Sequence, residues 1–447
     1  MKIPLTPPDI DVLLLSLKPE LFRHLYAAST PTVEGAYLHW DQLRHRAPPE
    51  GMTSELWWAA LKLARTGMLQ SLPLLDKAGK PFQIATPEDV LIHLHHIDKD
   101  AAGQIQSAAE VTTSENRDRY LFQSMAEEAI TSSQMEGAAT TRQVAEAMLR
   151  EGRKPRDHSE CMIFNNFHAM ELIREIRNEP ITPSRILELH RILTEGTLDD
   201  PAGAGRLRMS DDVHVADNRD GTIIHQPPSH TELGARLEKL CAFANADENT
   251  KPFVHPVLRA ILLHFMIGYD HPFVDGNGRT ARALFYWAIV RSGYWLMEFV
   301  SISHYLRKAP GKYVRSYLHT ETDGNDTTYF LIHQLEVMRN AIQGLHEYLA
   351  RKVSEQKSME RLLVGSGKLR NRLNHRQLAL LTHALKYPGE VYKIDGHQRS
   401  HAVVYQTARS DLLGLSELGL LDKQKIGKSF LFQAPQNLRK TIADLAD

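Results

Sequence analysis

The chain has 447 residues, 42% hydrophobic and 24% charged, with a formal net charge of −1. That is length enough for two or three domains, and the near-zero balance gives no sign of a nucleic-acid or membrane-surface partner. No apolar run approaches the roughly 18 residues of a membrane helix, Met1–Pro8 lacks a signal-peptide core, and the only cysteines, Cys161 and Cys241, are too far apart for a metal-ligand pattern. The expectation is a soluble cytoplasmic protein with no membrane partner.

Residues 1–100 read as a helical region. A short apolar run, Leu13–Leu17, precedes Pro19, which opens a helix through Tyr26. Tyr37–Arg44 and Ser54–Arg65 carry Trp40, Trp57 and Trp58 and are separated by Pro48-Pro49-Glu50-Gly51. Such aromatic clustering points to a small core, with a docking surface as the alternative. From Asn116 onward, Leu121, Met125 and Ile130 keep helical spacing up to Thr131-Ser132-Ser133-Gln134-Met135-Glu136-Gly137-Ala138. Ser132 and Glu136 share a face, and Gly137 is placed to end the helix. Taken alone, that pattern is a solvent-facing glutamate. Ile186–Leu193 is again helical, followed by a loop with Gly203, Gly205 and Arg206. Val213–Val215 and Thr222–His225 read as two short strands around the turn Asp217-Asn218-Arg219-Asp220-Gly221. His214 and His225 read as surface or hairpin histidines, and His264, inside Ile261–Ile267, as a hydrogen-bonded core histidine.

Residues 271–282, His-Pro-Phe-Val-Asp-Gly-Asn-Gly-Arg-Thr-Ala-Arg, concentrate the chemistry. Pro272 and the two glycines predict a tight loop, and Thr280–Arg291 a helix. Gly276, Asn277 and Gly278 then stand just before a helix N-terminus, where free N–H groups and the dipole favour an anion. Arg279 and Arg282 share one face of the first turn. Two guanidiniums at a positive helix end make sense if a polyanion such as a nucleotide triphosphate fills the site. Asp275 beside it can hold Mg²⁺, and His271 can act as a general base near neutral pH. These are the parts needed for transfer from a nucleotide to a hydroxyl.

This segment resembles the signature of the Fic (Fic/Doc) family, His-x-Phe-x-(Asp/Glu)-Gly-Asn-Gly-Arg-x-x-Arg, with each fixed position filled. The resemblance implies a mainly α fold: a Fic-type helical core, here placed at residues 101–363, with a β-hairpin flap that holds a target segment by strand addition. It implies AMP transfer from ATP to a Ser, Thr or Tyr hydroxyl of a target protein, and of the chain itself. His271 would deprotonate the hydroxyl, and Asp275 would hold Mg²⁺ between the α- and β-phosphates. The Gly276-Asn277-Gly278 backbone, the Asn277 side chain and Arg279 would form the anion hole, Arg282 would reach the γ-phosphate, and Phe273 would fix the loop. Gly278 speaks against the kinase branch, which carries Lys there. Within this family Ser132–Gly137 resembles the inhibitory motif (Ser/Thr)-x-x-x-Glu-(Gly/Asn), in which Glu136 would salt-bridge Arg282 and block the γ-phosphate. In some relatives the same glutamate helps remove AMP. An aromatic after the motif lines the adenine pocket in relatives, and Tyr313 is the candidate here.

Thr328–Leu363 reads as a long helix ending at Gly365-Ser366-Gly367-Lys368, which lacks the spacing of a P-loop. Beyond it, residues 368–447 read as a helix (Arg376–Lys386), an extended Val391–Ile394, a helical region (Ser400–Leu418) and two strands around Ile426-Gly427-Lys428. This resembles a winged helix-turn-helix domain. From Asn371 on there are eleven basic and seven acidic residues. The excess is mild, so DNA contact and a protein-docking or homodimerisation surface stay equal readings. A DNA-binding regulator whose core senses nucleotide is the alternative to the enzyme; an intact catalytic set favours the enzyme.

Overall fold

Apolar spacing of 3.6 residues dominates the chain, and the computed structural model is accordingly mainly helical. It describes residues 3–15, 19–102, 114–217, 219–247, 249–365, 372–387, 389–401, 403–426 and 429–446. Ser16 and Leu17 of the first apolar run, Asn218 of the hairpin turn, Ser366–Lys368 and the Gly427-Lys428 turn lie outside these residues. The chain divides into two units, Met1–Leu345 and His346–Asp447. Among the described residues no helix is long and apolar enough to cross a membrane.

The first unit opens with short helices α1 (Ile10–Leu15), α2 (Phe22–Ala27) and α3 (Trp40–Leu43), then α4 (Ser54–Thr66). Trp40, Trp57 and Trp58 pack with Leu38, Leu43 and Leu61 into the small core expected of them. One element departs from the helical reading of this region. Gln70–Leu75 (β1) and Pro81–Ile84 (β2) form an antiparallel hairpin. Its signal is present in Ser71-Leu72-Pro73-Leu74, where the leucines are buried and their neighbours exposed, and in the turn at Asp76, whose carboxylate accepts from Ala78 and Lys80 N–H. After α5 (Glu88–Ile97), the core helices follow: α6 (Ser114–Met135), α7 (Arg142–Glu151), α8 (His158–Glu175) and α9 (Pro183–Thr194). A two-stranded hairpin, β3 (Val215–Ala216) and β4 (Ile223–His225), pairs Val215 with His225 and Ala216 with Ile223. Then come α10 (Leu233–Ala244), α11 (Pro256–Asp270), α12 (Asn277–Arg291), α13 (Ile302–Lys308), α14 (Pro310–Thr322) and α15 (Thr328–Gly365). Every residue of α11 from Val257 to Ile267 is buried, as is α12 from Arg279 to Ile289. Helices buried on all sides belong at the centre of a fold, and these two form it.

In the second unit α16 (His375–Lys386) is capped by Asn374, and β5 (Val391–Lys393) leads into α17 (Ile394–His401). The sequence reading leaves Ile394 extended and starts a single helix at Ser400. The structure instead has two helices, α17 and α18 (Tyr405–Glu417), followed by β6 (Asp422–Ile426), β7 (Ser429–Gln433) and α19 (Leu438–Ala446). The physical reason is Asp411 on α18. It is buried and accepts from Arg376 Nε (2.7 Å) and Asn374 Nδ2 (2.7 Å), with His397 Nε2 at 3.1 Å, so a separate α17 is needed to bring His397 to it. The strands form one antiparallel sheet in the order β5-β7-β6.

A buried polar network braces the first unit. Arg65 is fully buried on α4 and donates to Pro31 O (2.8 Å), Leu38 O (3.0 Å) and the Tyr329 hydroxyl (2.9 Å). Tyr329 donates to Asp323 (2.7 Å), which also pairs with Lys62 at 2.9 Å. Replacing Arg65 strands these acceptors in a dry interior. Arg65→Met is therefore expected to destabilise the chain by about 3 kcal/mol, read as a lower urea midpoint; an unchanged midpoint contradicts the bracing role.

Candidate active site

The turn between α11 and α12 shapes the site. α11 ends at Asp270 and is capped by His271, whose backbone is left-handed (φ 43°, ψ 57°) and whose N–H still bonds Ile267 O. A non-glycine residue there costs roughly 1–2 kcal/mol, so the surroundings must hold it. Helix α12 begins at Asn277, three residues earlier than the sequence reading places it. Gly276 caps it at φ 79°, and a Cβ at 276 would stand 2.6 Å from Thr194 Cγ2. The Asn277 amide closes the loop, accepting from Phe273 N–H (3.0 Å) and donating to Phe273 O (2.8 Å). That side chain is committed to the loop, which leaves anion contact to the backbone N–H groups.

Two loop supports are not singled out by the sequence reading. Phe273 is fully buried and stacks on His190, ring centroids 3.7 Å apart and nearly parallel. Gly205 N–H donates to His190 Nδ1 (3.0 Å), so Nε2 carries the proton and donates to Asp275 O (2.9 Å). Burial pushes the His190 pKa down to about 4, keeping this neutral tautomer. Its signal was its place in the buried stripe Ile186, Leu189, His190, Leu193. Arg208 is the second support. Its N–H bonds Pro272 O (2.9 Å), its Nε bonds His271 O (3.0 Å), and its Nη1 bonds Asp211 (2.9 Å) at the base of the hairpin. Asp211 also accepts from His230 N–H, the main reason its pKa falls to about 2. Asp211 is a local partner, but nothing local in the sequence marks Arg208 as a loop support, because its contacts to the loop go to the distant carbonyls of His271 and Pro272.

The structure brings most of the sequence-selected residues together. His271 Nδ1 lies 3.1 Å from Gly268 O, which can only accept. Nδ1 therefore holds the proton and Nε2 keeps its lone pair; burial lowers the His271 pKa below the ordinary histidine range. Asp275 is exposed, 3.6 Å from Arg279 Nη2. Arg279 is buried; Nη1 donates to Leu193 O (2.8 Å), while Nε and Nη2 have no hydrogen-bond partner among the described residues. Arg282, also buried, bonds Ser132 Oγ through Nε (2.8 Å), Ser132 O through Nη2 (3.1 Å), and Glu136 Oε1 through Nη2 (2.7 Å). Glu136 sits just beyond the end of α6, where Gly137 (φ 98°) turns the chain. A Cβ at Gly278 would collide with the Glu136 carboxylate, so that carboxylate rests on the first turn of α12, where the helix end favours an anion. The Tyr313 hydroxyl lies 2.8 Å from Nε2 of the fully buried His264. His225 is not a surface residue: it is buried, with Nε2 2.7 Å from Tyr269 O and Nδ1 2.8 Å from Glu321. His214 is exposed.

Comparison with known proteins follows this geometry. Residues 180–289 match the sequence model of the Fic/DOC family. The chain is 32% identical over 159 residues to the protein adenylyltransferase Fic of Drosophila grimshawi, covering 35% of this chain and 30% of that protein. It is 33% identical over 159 residues to that of Drosophila virilis, with the same shares. The chain thus spans about 30% of the length of these curated relatives. A Fic family protein from Desulfovibrio desulfuricans G20 shares the fold at a TM-score of 0.51 and 16% identity, over 78% of this chain and 96% of that one.

The proton state of His271 can be checked without any assay of activity. Its ring is expected to titrate by NMR below the free-histidine value of about 6.5, because burial penalises the cation. Arg208→Gln removes a nearby positive charge, so the midpoint is expected to rise; a midpoint at or above the free value in the parent chain would overturn the assignment.

Proposed function

We propose that this chain, whose residues 180–289 match the Fic/DOC family model, is a self-inhibited protein adenylyltransferase of that family. It transfers AMP from ATP to a hydroxyl of a target protein and of itself. The observation that carries the reading is the Glu136 carboxylate held 2.7 Å from Arg282 over the first turn of α12. A carboxylate there and a terminal phosphate compete for one guanidinium.

With Glu136 withdrawn, the parts converge on a triphosphate. The N–H groups at Asn277 and Gly278 and the unbonded Nε and Nη2 of Arg279 meet the inner phosphates, and Arg282 meets the terminal one. Tyr313 is the residue assigned by this reading to line the nucleobase pocket. The target hydroxyl attacks the α-phosphorus, its proton passes to His271 Nε2, and the bond to the bridging oxygen breaks, releasing pyrophosphate. Gly268 O holds the opposite ring nitrogen protonated, which keeps Nε2 able to accept. Asp275 fits Mg²⁺. It is a lone exposed carboxylate, no cluster of three metal-ligating side chains is found among the described residues, and Mg²⁺ commonly takes one or two carboxylates with phosphate oxygens and water. When bound, the ion would neutralise phosphate charge. The β3–β4 hairpin, clamped at its base through Asp211 and Arg208, holds the target main chain beside His271.

The helix, strand, two-helix and hairpin order of the second unit, with its three-stranded sheet, supports a winged-helix reading there. α18 exposes Tyr405, Gln406, Arg409 and Ser410, the face such a domain offers to DNA or to a protein.

Labelling with α-³²P-ATP and Mg²⁺ tests the central reading. Glu136→Gly is expected to raise self-labelling over the parent chain on the order of tenfold or more, since one charge-assisted contact is lost. Glu136→Gly/His271→Ala is expected to abolish it. Equal labelling in Glu136→Gly and the parent overturns the inhibitory role, label surviving His271→Ala overturns the base, and no label in any form overturns AMP transfer.

A further inference from the structure

The helix that carries Ser132 and Glu136 holds a second buried carboxylate that the catalytic scheme does not use. Glu128, on α6 two turns before Glu136, is 2% exposed. Its Oε2 lies 3.0 Å from the Tyr286 hydroxyl, 2.8 Å from Ser301 Oγ and 3.1 Å from Ser303 N, and the Ser303 hydroxyl donates to Oε1. Tyr286 in turn accepts from Ile302 N–H (2.8 Å). No ion pair to Glu128 is formed among the described residues, so these donors alone offset its desolvation.

The geometry relates Glu128 to the inhibitory contact. Glu128, Ser132 and Glu136 stand at i, i+4 and i+8 along α6 and just past its end. Arg282 and Tyr286 stand at i and i+4 on α12. Glu128 meets Tyr286, while Ser132 and Glu136 meet Arg282. The two helices are thus joined by two polar rungs one turn apart, and apolar packing alone would set their axial register less sharply. The neighbouring Glu127 adds Arg142 of α7 (2.7 Å) and His304 of α13 (2.9 Å).

We infer that Glu128 is a positioning residue that fixes α6 against α12 and the capped start of α13, and thereby holds Glu136 on Arg282. It touches no nucleotide; it sets how often the inhibitory carboxylate leaves. The inference rests on the inhibitory reading of Glu136. Loosening the Glu128 rung then populates the released state by population shift, without altering the groups that bind phosphate.

The test is self-labelling by Glu128→Gln and by Tyr286→Phe, each in the parent chain and in Glu136→Gly, with the apparent KM for ATP measured alongside. In the parent chain Glu128→Gln is expected to raise labelling on the order of tenfold and to lower the KM for ATP, because Glu136 competes with nucleotide; Tyr286→Phe is expected to do the same to a smaller extent. In Glu136→Gly neither substitution is expected to add anything, since the contact they act through is gone. If Glu136→Gly shows its gain but Glu128→Gln and Tyr286→Phe leave labelling of the parent chain unchanged, the inference fails and the inhibitory reading stands. If either double variant labels less than Glu136→Gly, Glu128 supports the catalytic fold instead of the contact, and the inference fails. If Glu136→Gly itself shows no gain, the inhibitory reading fails and takes the inference with it.

Discussion

Two guanidiniums buried at the positive end of a helix are the constraint from which the rest follows. Arg279 and Arg282 occupy the first turns of α12, where the dipole already opposes cations, and both are almost wholly out of solvent. Such a place is stable only with negative charge or oxygen acceptors close by. Leu193 O serves one arginine; Ser132 and Glu136 serve the other. Under the proposed function, the internal carboxylate meets the demand that a nucleotide phosphate would otherwise meet, and inhibition and nucleotide binding become two answers to one electrostatic demand.

The scaffold is organised to keep that demand unrelaxed. The left-handed turn at His271 is held from three sides: Arg208 on its carbonyl, Asn277 on Phe273, and His190 stacked beneath the same phenylalanine. None of these groups is placed to react. Each satisfies backbone atoms that a tight loop leaves without partners, and together they fix where the His271 ring and the Asp275 carboxylate stand. Farther out, Arg236 bonds Asp270 (2.6 Å) and the carbonyls of Leu75 and Asp76, so the β1–β2 hairpin buttresses the end of α11. Burial raises the Asp270 pKa to about 6 even with Arg236 beside it, a sign of how dry the base of the loop is.

Legibility in the sequence tracked the range of the interactions involved. The loop and helix of residues 271–291 were readable because their causes are local: Pro and Gly punctuation, then a stretch rich in Ala, Leu and aromatics with no Gly or Pro. The α6 helix and its glycine stop were readable for the same reason. The exact start of α12 was not, since it depends on the Asn277 amide folding back onto Phe273. Nor was the β1–β2 hairpin, whose short alternation is outweighed by the helical segments around it, nor the division of α17 from α18, which answers to a carboxylate more than ten residues away.

By itself, then, the chain determined which chemistry could be present: a base, an exposed carboxylate, a glycine-rich helix start and two arginines within twelve residues, because adjacency in sequence imposes adjacency in space. It also determined that a carboxylate would close the α6 helix. The residues alone did not pair Glu136 with Arg282, which only the family resemblance suggested; the tertiary structure shows that contact, leaves two Arg279 donors without a hydrogen-bond partner among the described residues, and sets His190 and Arg208 against the loop. Those pairings join residues separated by tens to more than a hundred positions, and what selects them is desolvation: a polar group buried in a dry core must find a partner, and which one it finds depends on the packing of whole helices.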